Sequence, residues 1–300
     1  MIRRQADWAA GQGERENAAV LIDAHHHLWD PAARDYPWMQ GSRLDPIRRR
    51  YGPDELRRRC ASAGVDATVL VQTVSDPSET AEFLATAAAS DGLIAGVVGW
   101  IDLTGPDVSD GLARLRGVRG GERLVAIRHQ VEDEPDPGWL LRDDVIRGLA
   151  AVGAAGLAYD LLVRSSQLPA ARAVVRRLPD VTFVLDHCAK PAIATGRWEP
   201  WAGEIAALAK LPNVACKVSG LVTEAPWDGW EVAAIRPYAE HVLESFGPDR
   251  LLFGSDWPVC ELAASYDEVL ELARALLGPL TPDETALVFG GTATRLYRLA

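Results

Sequence analysis

The sequence predicts an α/β protein, a single-domain (β/α)8 TIM barrel with a short N-terminal extension. Short apolar runs rich in β-branched residues alternate with helical patterns eight times along the 300 residues. This is the repeat number and the length of such a barrel. The runs are continuously apolar, as in strands buried on both faces of a parallel sheet. No linker or shift of composition divides the chain.

The predicted strands and helices follow one another in regular alternation. The strand runs are residues 19–25, 67–73, 94–100, 124–130, 156–162, 181–187, 213–220 and 250–256. Helical patterns lie at 53–64, 77–90, 106–116, 138–152, 165–178, 199–210, 231–246 and 265–277, and a further helix is predicted at 281–298. A doubly wound open sheet is the alternative. It usually carries a glycine-rich phosphate loop after its first strand, and this sequence has none there.

Residues typical of helix ends mark several of these boundaries. Pro53 stands where the first helix should begin, and Gly64 stands where it should end. Ser78 is the candidate N-cap of the second helix. Thr281 and Glu284 have the spacing of a capping box, which predicts a helix start at the C-terminal segment.

Composition restricts the partners and the compartment. The formal charge of −11 argues against nucleic acid and against anionic membrane surfaces. We therefore expect a small-molecule ligand, and a homo-oligomer is left open. Residues 1–19 form the predicted extension and lack the apolar segment of a secretory signal, while residues 20–300 form the predicted barrel. The four cysteines lack metal-site spacing and are expected to be free thiols, which favours a cytoplasmic protein.

Chemically capable side chains gather where the predicted strands end. Strands 4, 7 and 8 end near Arg128, Lys217 and Asp256. Active sites of (β/α)8 barrels lie at the carboxyl ends of the strands, so we expect these side chains to meet. Five of the six histidines also lie at predicted strand ends: His25, His26, His27, His129 and His187.

Side-chain alternation along the first strand separates its three histidines. Ile22 and Ala24 share the parity of His26, so we expect these three residues to face the helices. His26 is then a packing residue. The positions predicted to face the barrel axis are Asp23, His25 and His27.

An H-x-H pair on one face of a strand can present two imidazoles to one divalent ion. His25 and His27 form such a pair, to which His187 could add a third nitrogen and Asp256 a carboxylate. A site of this kind keeps one position open for water or substrate.

Other candidates surround this predicted centre. Arg128 is a candidate for substrate binding, and His129 is either a catalytic or a structural histidine. Lys217 could pair with a buried acid or bind substrate. Trp29 and Trp38 lie in the long loop after the first strand, where they could stack on a sugar ring or hold the loop in place.

Several motifs together resemble a known family. The segments IDAHHHLWDP, YPWM, AIRHQ, LDHCAKP, KVSGL and LLFGSDWP occur in this order between Val20 and the C-terminus. They resemble the amidohydrolase superfamily, of the amidohydrolase-2 type. The closest likeness is to its branch of sugar-acid lactonases, which act on fuconolactone and rhamnonolactone and have a pyrone-dicarboxylate lactonase as a cousin.

The resemblance implies a (β/α)8 barrel and a site. His25 and His27 match the family's H-x-H, His187 its strand-6 histidine and Asp256 its strand-8 aspartate. Strand 4 ends in Arg-His-Gln and lacks the bridging lysine of two-metal members. The expected cofactor is therefore one divalent metal, zinc first, while the need for a metal stays open.

The leading hypothesis is hydrolysis of a sugar-acid lactone. Asp256 would take a proton from water, which attacks the lactone carbonyl, and His187 would complete the site. His129, Arg128 and Lys217 would bind hydroxyls or stabilise the oxyanion. The alternatives are a metal-dependent decarboxylase of an aromatic acid, a lactone isomerase in which a ring hydroxyl attacks, and a barrel that only binds a sugar acid.

Overall fold

Eight parallel strands form one sheet that runs in chain order from β1 to β8. The computed structural model describes residues 19–299, so the predicted extension, residues 1–19, lies outside the described residues except for Ala19. The strands are β1 (Ile22–His26), β2 (Ala67–Val71), β3 (Ile94–Gly99), β4 (Leu124–Gln130), β5 (Ala158–Leu162), β6 (Phe183–Leu185), β7 (Val214–Val218) and β8 (Leu251–Phe253). Each lies within its predicted run, except that β1 extends one residue further, to His26. The (β/α)8 barrel is confirmed.

Helices cover the outside of the sheet and follow the predicted alternation. They are α1 (Pro53–Ala63), α2 (Pro77–Ala88), α3 (Val108–Arg116), α4 (Asp143–Ala154), α5 (Leu168–Arg177), α6 (Trp201–Ala209), α7 (Leu221–Glu224), α8 (Val232–Phe246), α9 (Tyr266–Leu276), α10 (Pro282–Ala286) and α11 (Thr292–Tyr297). A π-helical segment, Leu287–Gly291, joins the last two. No helix within residues 19–299 has both the length and the apolar character needed to cross a membrane.

The helix ends confirm three of the four predicted signals, beginning with Pro53, which is the first residue of α1. Thr281 and Glu284 form a capping box at the start of α10. Gly64 ends α1 in a left-handed conformation with φ of 70°. The prediction for Ser78 is wrong, because Asp76 caps α2 and accepts a hydrogen bond from the backbone nitrogen of Ser78. Aspartate at the N-cap satisfies the same unpaired backbone donors that serine would.

The core has two parts, one between the sheet and the helices and one inside the barrel. The inner part is closed at the amino ends of the strands by Ala293 and Tyr297 of α11. Every strand contributes to it, β1 to β7 with small or β-branched residues and β8 with a leucine: Ile22, Ala24, Val69, Val71, Val98, Ala126, Ala158, Val184, Ala215 and Leu252. Above this apolar floor, the inward positions carry polar side chains, so the carboxyl end of the barrel holds the chemistry.

A bulge in β1 changes the predicted direction of its side chains. Asp23 pairs with Thr68 and His26 with Leu70, so β1 contains one residue more than β2 over this stretch. The prediction that Ile22 and Ala24 face the helices is therefore wrong, because both pack inside the barrel. Beyond the bulge the predicted directions of the three histidines hold.

Asp23 connects the first and last strands instead of facing the barrel axis. Its carboxylate accepts hydrogen bonds from the backbone nitrogen of Ser255 at 2.8 Å, from the Ser255 hydroxyl at 2.6 Å and from Tyr266 of α9 at 2.9 Å. The predicted axial position of Asp23 is corrected by these contacts. Backbone hydrogen bonds from Asp256 to His25 and from His27 to Trp257 close the barrel at the same point, at 2.8 and 2.7 Å.

Candidate active site

Three strand ends bring three histidines and one aspartate together at the carboxyl face of the barrel. The Nε2 atoms of His25 and His27, at the end of β1, lie 3.2 Å apart. Oδ1 of Asp256 lies 3.7 Å from His25 Nε2, 3.5 Å from His27 Nε2 and 3.9 Å from His187 Nε2. All four side chains are buried. The four predicted metal-site residues therefore form one cluster, called the His/Asp cluster below.

The surrounding structure fixes which ring nitrogen faces the centre of the cluster. His27 Nδ1 lies 2.8 Å from the backbone carbonyl of Val71, and since a carbonyl only accepts, Nδ1 carries the proton and donates it. The lone pair of His27 Nε2 is then free toward Asp256. His187 is positioned by a 2.9 Å contact between its Nδ1 and the hydroxyl of Ser219.

Glycine at position 254 lets β8 approach β1 closely enough to build this cluster. A Cβ atom on Gly254 would lie 2.7 Å from the Cβ of His25, which is closer than such atoms approach in folded proteins. Any larger residue would push His25 away from its partners. The GSD segment thus combines close packing by its first residue with the carboxylate of its last.

Burial and neighbouring groups set the protonation states of the cluster. Burial lowers the pKa of both His27 and His187, so both rings are neutral near pH 7. Burial alone would raise the pKa of Asp256, but interactions with His187 and His27 outweigh it and lower that pKa. Asp256 is therefore a carboxylate that faces the Nε2 atoms of His27 and His187.

This donor set fits a single divalent cation. Zinc lies about 2.0–2.2 Å from its nitrogen and oxygen ligands, which places neighbouring ligand atoms of a tetrahedron roughly 3.3 Å apart. The separations among His25, His27 and Asp256 are 3.2, 3.5 and 3.7 Å. These three residues could hold an ion, with His187 beside them, and leave room for a further ligand.

A layer of buried ion pairs lies directly beneath the His/Asp cluster. Lys217 Nζ lies 2.6 Å from Asp160 and 2.9 Å from Asp186, and Arg128 lies 2.9 Å from the other oxygen of Asp186. His25 joins this layer through its Nδ1, which is 3.1 Å from Lys217 and 3.3 Å from Asp186. Removing one partner of such a buried pair would leave an uncompensated charge.

The two acids of this layer are in different electrostatic environments. Burial raises the pKa of Asp160 to about 6. For Asp186, the attraction of Lys217 and His25 outweighs burial, and the pKa is lowered. Of the two roles open for Lys217, the structure shows the internal ion pair, because this residue is fully buried and is not among the residues that line the cavity above.

A left-handed turn follows β6 and carries His187. Four consecutive residues other than glycine, 187 to 190, have φ between 50° and 58°. This conformation costs L-amino acids roughly 1–2 kcal/mol per residue. The turn is held by hydrogen bonds from Trp201 to the Cys188 carbonyl at 2.7 Å and from Ser165 to the Ala189 and Lys190 carbonyls at 2.9 and 3.0 Å. Strain of this kind is concentrated at functional sites.

An open cavity of about 500 Å³ lies above the His/Asp cluster. It mixes apolar walls with charged side chains from the segments after β4, β5 and β6. Five of the predicted site residues line it: His27, Trp38, Arg128, His187 and Asp256. The lining residues are His27, Pro37, Trp38, Thr73, Arg128, Gln130, Glu132, Asp133, Leu162, Arg164, His187, Lys190, Asp256 and Val259.

Comparison with known proteins decides the family. The family model described as amidohydrolase matches residues 22–299. The chain belongs to the amidohydrolase family. It is 40% identical over 292 residues to the L-fucono-1,5-lactonase of Burkholderia multivorans. The match covers 94% of this chain and 97% of that protein. The L-fucono-1,5-lactonase of Burkholderia ambifaria is 38% identical to this chain over 285 residues. That match covers 93% of this chain and 95% of that protein.

A solved structure supports the same relationship. The crystal structure of an amidohydrolase from Burkholderia multivorans with bound zinc superimposes on this amidohydrolase with a TM-score of 0.87 at 40% identity. The match covers 94% of this chain and all of that one. The zinc is a property of that crystal structure.

Two predicted site residues of the amidohydrolase, His129 and Trp29, are not among the residues that line the cavity. His129 accepts a hydrogen bond at Nδ1 from Trp100 at 2.9 Å, and its Nε2 lies 2.8 Å from Glu134. Its ring stacks on Trp139 with centroids 4.4 Å apart. Trp29 is 3% exposed and holds the loop after β1, whereas Trp38 lines the cavity.

Four charged residues in the cavity wall were not among the predicted site residues: Glu132, Asp133, Arg164 and Lys190. All four follow the ends of β4, β5 or β6 within a few positions. The same rule that selected Arg128 and Asp256, proximity to a strand end, would have included them. Lys190 even belongs to the LDHCAKP motif, but its direction depends on a left-handed turn that no residue type in the motif predicts.

Proposed function

We propose that this amidohydrolase hydrolyses a sugar-acid lactone by attack of water at the lactone carbonyl. The observation that carries this proposal is the convergence of three imidazole rings on the Asp256 carboxylate at the floor of an open cavity. The similarity to L-fucono-1,5-lactonases, at 38–40% identity over nearly the whole chain, supports an aldonolactone of that kind as substrate.

Asp256 acts as the general base. Its carboxylate is ionised and faces the cavity, so it can accept a proton from the attacking water. The bond between the acyl carbon and the ring oxygen breaks, and the ring oxygen takes up the proton to become a hydroxyl of the product acid. Arg128 lines the same cavity and can stabilise negative charge on the carbonyl oxygen.

His25, His27 and Asp256 would hold one divalent ion, zinc first, with His187 beside it. When bound, such an ion polarises a carbonyl and lowers the pKa of water. The tautomer of His27 suits this role, because Val71 takes its Nδ1 proton and leaves the Nε2 lone pair toward Asp256. His187 positions the substrate carbonyl next to Asp256.

The pairing of charges in the cavity favours a neutral lactone over an aromatic acid. Within the cavity wall as described, each cation has an acidic partner: Arg128 with Asp186 at 2.9 Å, Lys190 with Glu132 at 2.6 Å, and Arg164 with Glu132 and Asp133 at 3.8 and 3.9 Å. A carboxylate substrate of a decarboxylase would find no unpaired side-chain cation in this described wall to offset its desolvation. A polyhydroxylated lactone needs none.

A panel of lactones assayed with a pH indicator tests this function. We expect acid release from L-fucono-1,5-lactone, and loss of activity with loss of bound metal after dialysis against a chelator. Carbon dioxide release from aromatic acids would instead support the decarboxylase. Ring migration without ring opening, seen by NMR, would support an isomerase. No acid release from any lactone would contradict the proposal.

A further inference from the structure

An ion pair between Lys190 and Glu132 stands in the cavity wall and has no role in the chemistry described above. Lys190 Nζ lies 2.7 Å from one carboxylate oxygen of Glu132 and 2.6 Å from the other. The side chains are 22% and 11% exposed. Burial alone would raise the pKa of Glu132, but the charge of Lys190 lowers it, so both partners are charged.

The left-handed turn places this pair beside the His/Asp cluster. The backbone nitrogen of Lys190 donates to the carbonyl of His187 at 2.8 Å, which is the bonding pattern of a three-residue turn. Residues three apart in such a turn lie on the same side. His187 and Lys190 accordingly both line the cavity, while Cys188 and Ala189 between them are fully buried in the core.

The chemistry of the pair matches a hydroxyl group. An ammonium has three donors and a carboxylate has several acceptor positions, so the pair retains capacity for a ligand after its own contact is made. A hydroxyl can accept a hydrogen bond from the ammonium and donate one to the carboxylate at the same time. A second carboxylate would be repelled by Glu132, and an apolar ring would leave both charges desolvated.

We propose that the Lys190–Glu132 pair recognises a ring hydroxyl of the lactone and selects polyhydroxylated lactones over unsubstituted ones. This inference rests on the proposed function and extends it to the substrate class. The unfavourable turn at residues 187–190 is retained because it brings the hydroxyl-binding pair and His187 to one ligand. Lys190 and Glu132 are thus specificity-determining residues.

The test compares two six-membered lactones, L-fucono-1,5-lactone and δ-valerolactone, which lacks hydroxyls. We expect Lys190→Met to lower the ratio of their kcat/KM values by roughly 10- to 100-fold, the range for loss of a hydrogen bond to a charged group. Glu132→Gln, which keeps the shape of the side chain, should lower the same ratio. Arg164→Met is the matched control, because this cation lines the same cavity but is 57% exposed and lies 3.8 Å from Glu132. It should change the ratio less than about threefold.

Several outcomes would overturn the inference. Equal losses with both lactones would mean that Lys190 acts on the reacting ester, and an unchanged ratio would mean that the pair does not contact the substrate. If Lys190→Met does not fold, Glu132→Gln alone decides. Failure of the wild-type protein to open either lactone would instead contradict the proposed function.

Discussion

The histidines at the strand ends form two groups that differ in the direction of the ring and in the use of its nitrogens. His27 and His187 point into the barrel and present Nε2 to Asp256 at 3.5 and 3.9 Å. His26 and His129 point outward, where their Nε2 atoms contact Thr68 and Glu134 at 2.9 and 2.8 Å. Proximity to the active face is shared by both groups, so the direction of the side chain separates chemistry from packing.

The inward and outward histidines also differ in whether a ring nitrogen keeps a free lone pair. Trp100 can only donate, so the Nδ1 atom of His129 accepts and its Nε2–H donates to Glu134, which leaves the ring no free lone pair. In His27 the backbone carbonyl of Val71 takes the proton of Nδ1, and the free lone pair faces the cluster. A scaffold contact on one ring nitrogen thus decides what the other nitrogen can do.

Replacement of Asp256, the carboxylate that His27 and His187 face, should have the largest effect on activity. We expect Asp256→Asn to lower kcat/KM for the lactone by about 10³-fold or more, because an amide cannot accept the proton from water at neutral pH. Thermal unfolding should show that the fold is kept. Asp133→Asn, in the same cavity wall, is the control and should stay within about threefold. Substantial lactonase activity in Asp256→Asn would rule out the assignment of the base.

Exchange of one histidine from each group tests the comparison directly. We expect His187→Asn to lower kcat/KM by roughly 100-fold, since this ring lines the cavity 3.9 Å from Asp256. His129→Asn should keep activity within about fivefold and lower the free energy of unfolding by roughly 1–3 kcal/mol, because it loses the contacts with Trp100 and Trp139. Steady-state kinetics and urea denaturation of both variants provide the measurement. Equal losses of activity would remove the distinction between the groups.

Much of this arrangement follows from sequence because strand ends are easy to locate. The alternating apolar runs predicted all eight strands, and the polar residues that end them predicted the cluster of His25, His27, His187 and Asp256. The same alternation, applied to β4, places His129 on the side of Ile127, which packs in the outer core, and Arg128 on the inside. The direction of His129 was therefore available from the sequence, although its contacts with Trp100 and Trp139 were not.

Two features could not be predicted from the sequence, because they depend on backbone conformation that residue type does not determine. The bulge in β1 inserts one residue and turns Ala24 inward beside His25, and no glycine marks it. The left-handed turn at residues 187–190 likewise contains no glycine, and it alone brings Lys190 to the cavity. In both cases contacts distant in the chain, from Ser255 to Asp23 and from Trp201 to Cys188, stabilise a local conformation that is unfavourable by itself.

His26 offers the mildest and most specific test of the outward group. Burial lowers the pKa of His26 to about 3. Its Nε2 contacts the Thr68 hydroxyl, whose own proton goes to the Leu93 carbonyl, so Nε2 donates and the buried Nδ1 has no partner among the described residues. The unfolded chain takes up the proton near pH 6.5, whereas the folded protein does not. The contribution of His26 to stability is therefore full above pH 6.5 and is lost as the pH falls toward 3.

Between pH 7 and pH 5 this loss should amount to about 2 kcal/mol, from roughly 1.4 kcal/mol for each pH unit below 6.5. We expect the free energy of unfolding of the metal-free wild type to fall by that much more than that of His26→Gln over this interval, as measured by urea denaturation. The other buried histidines are present in both proteins and cancel in the difference. Parallel pH profiles would show that His26 is protonated in the folded protein as readily as in the unfolded chain, and that the outward position is not the dry environment that its contacts indicate.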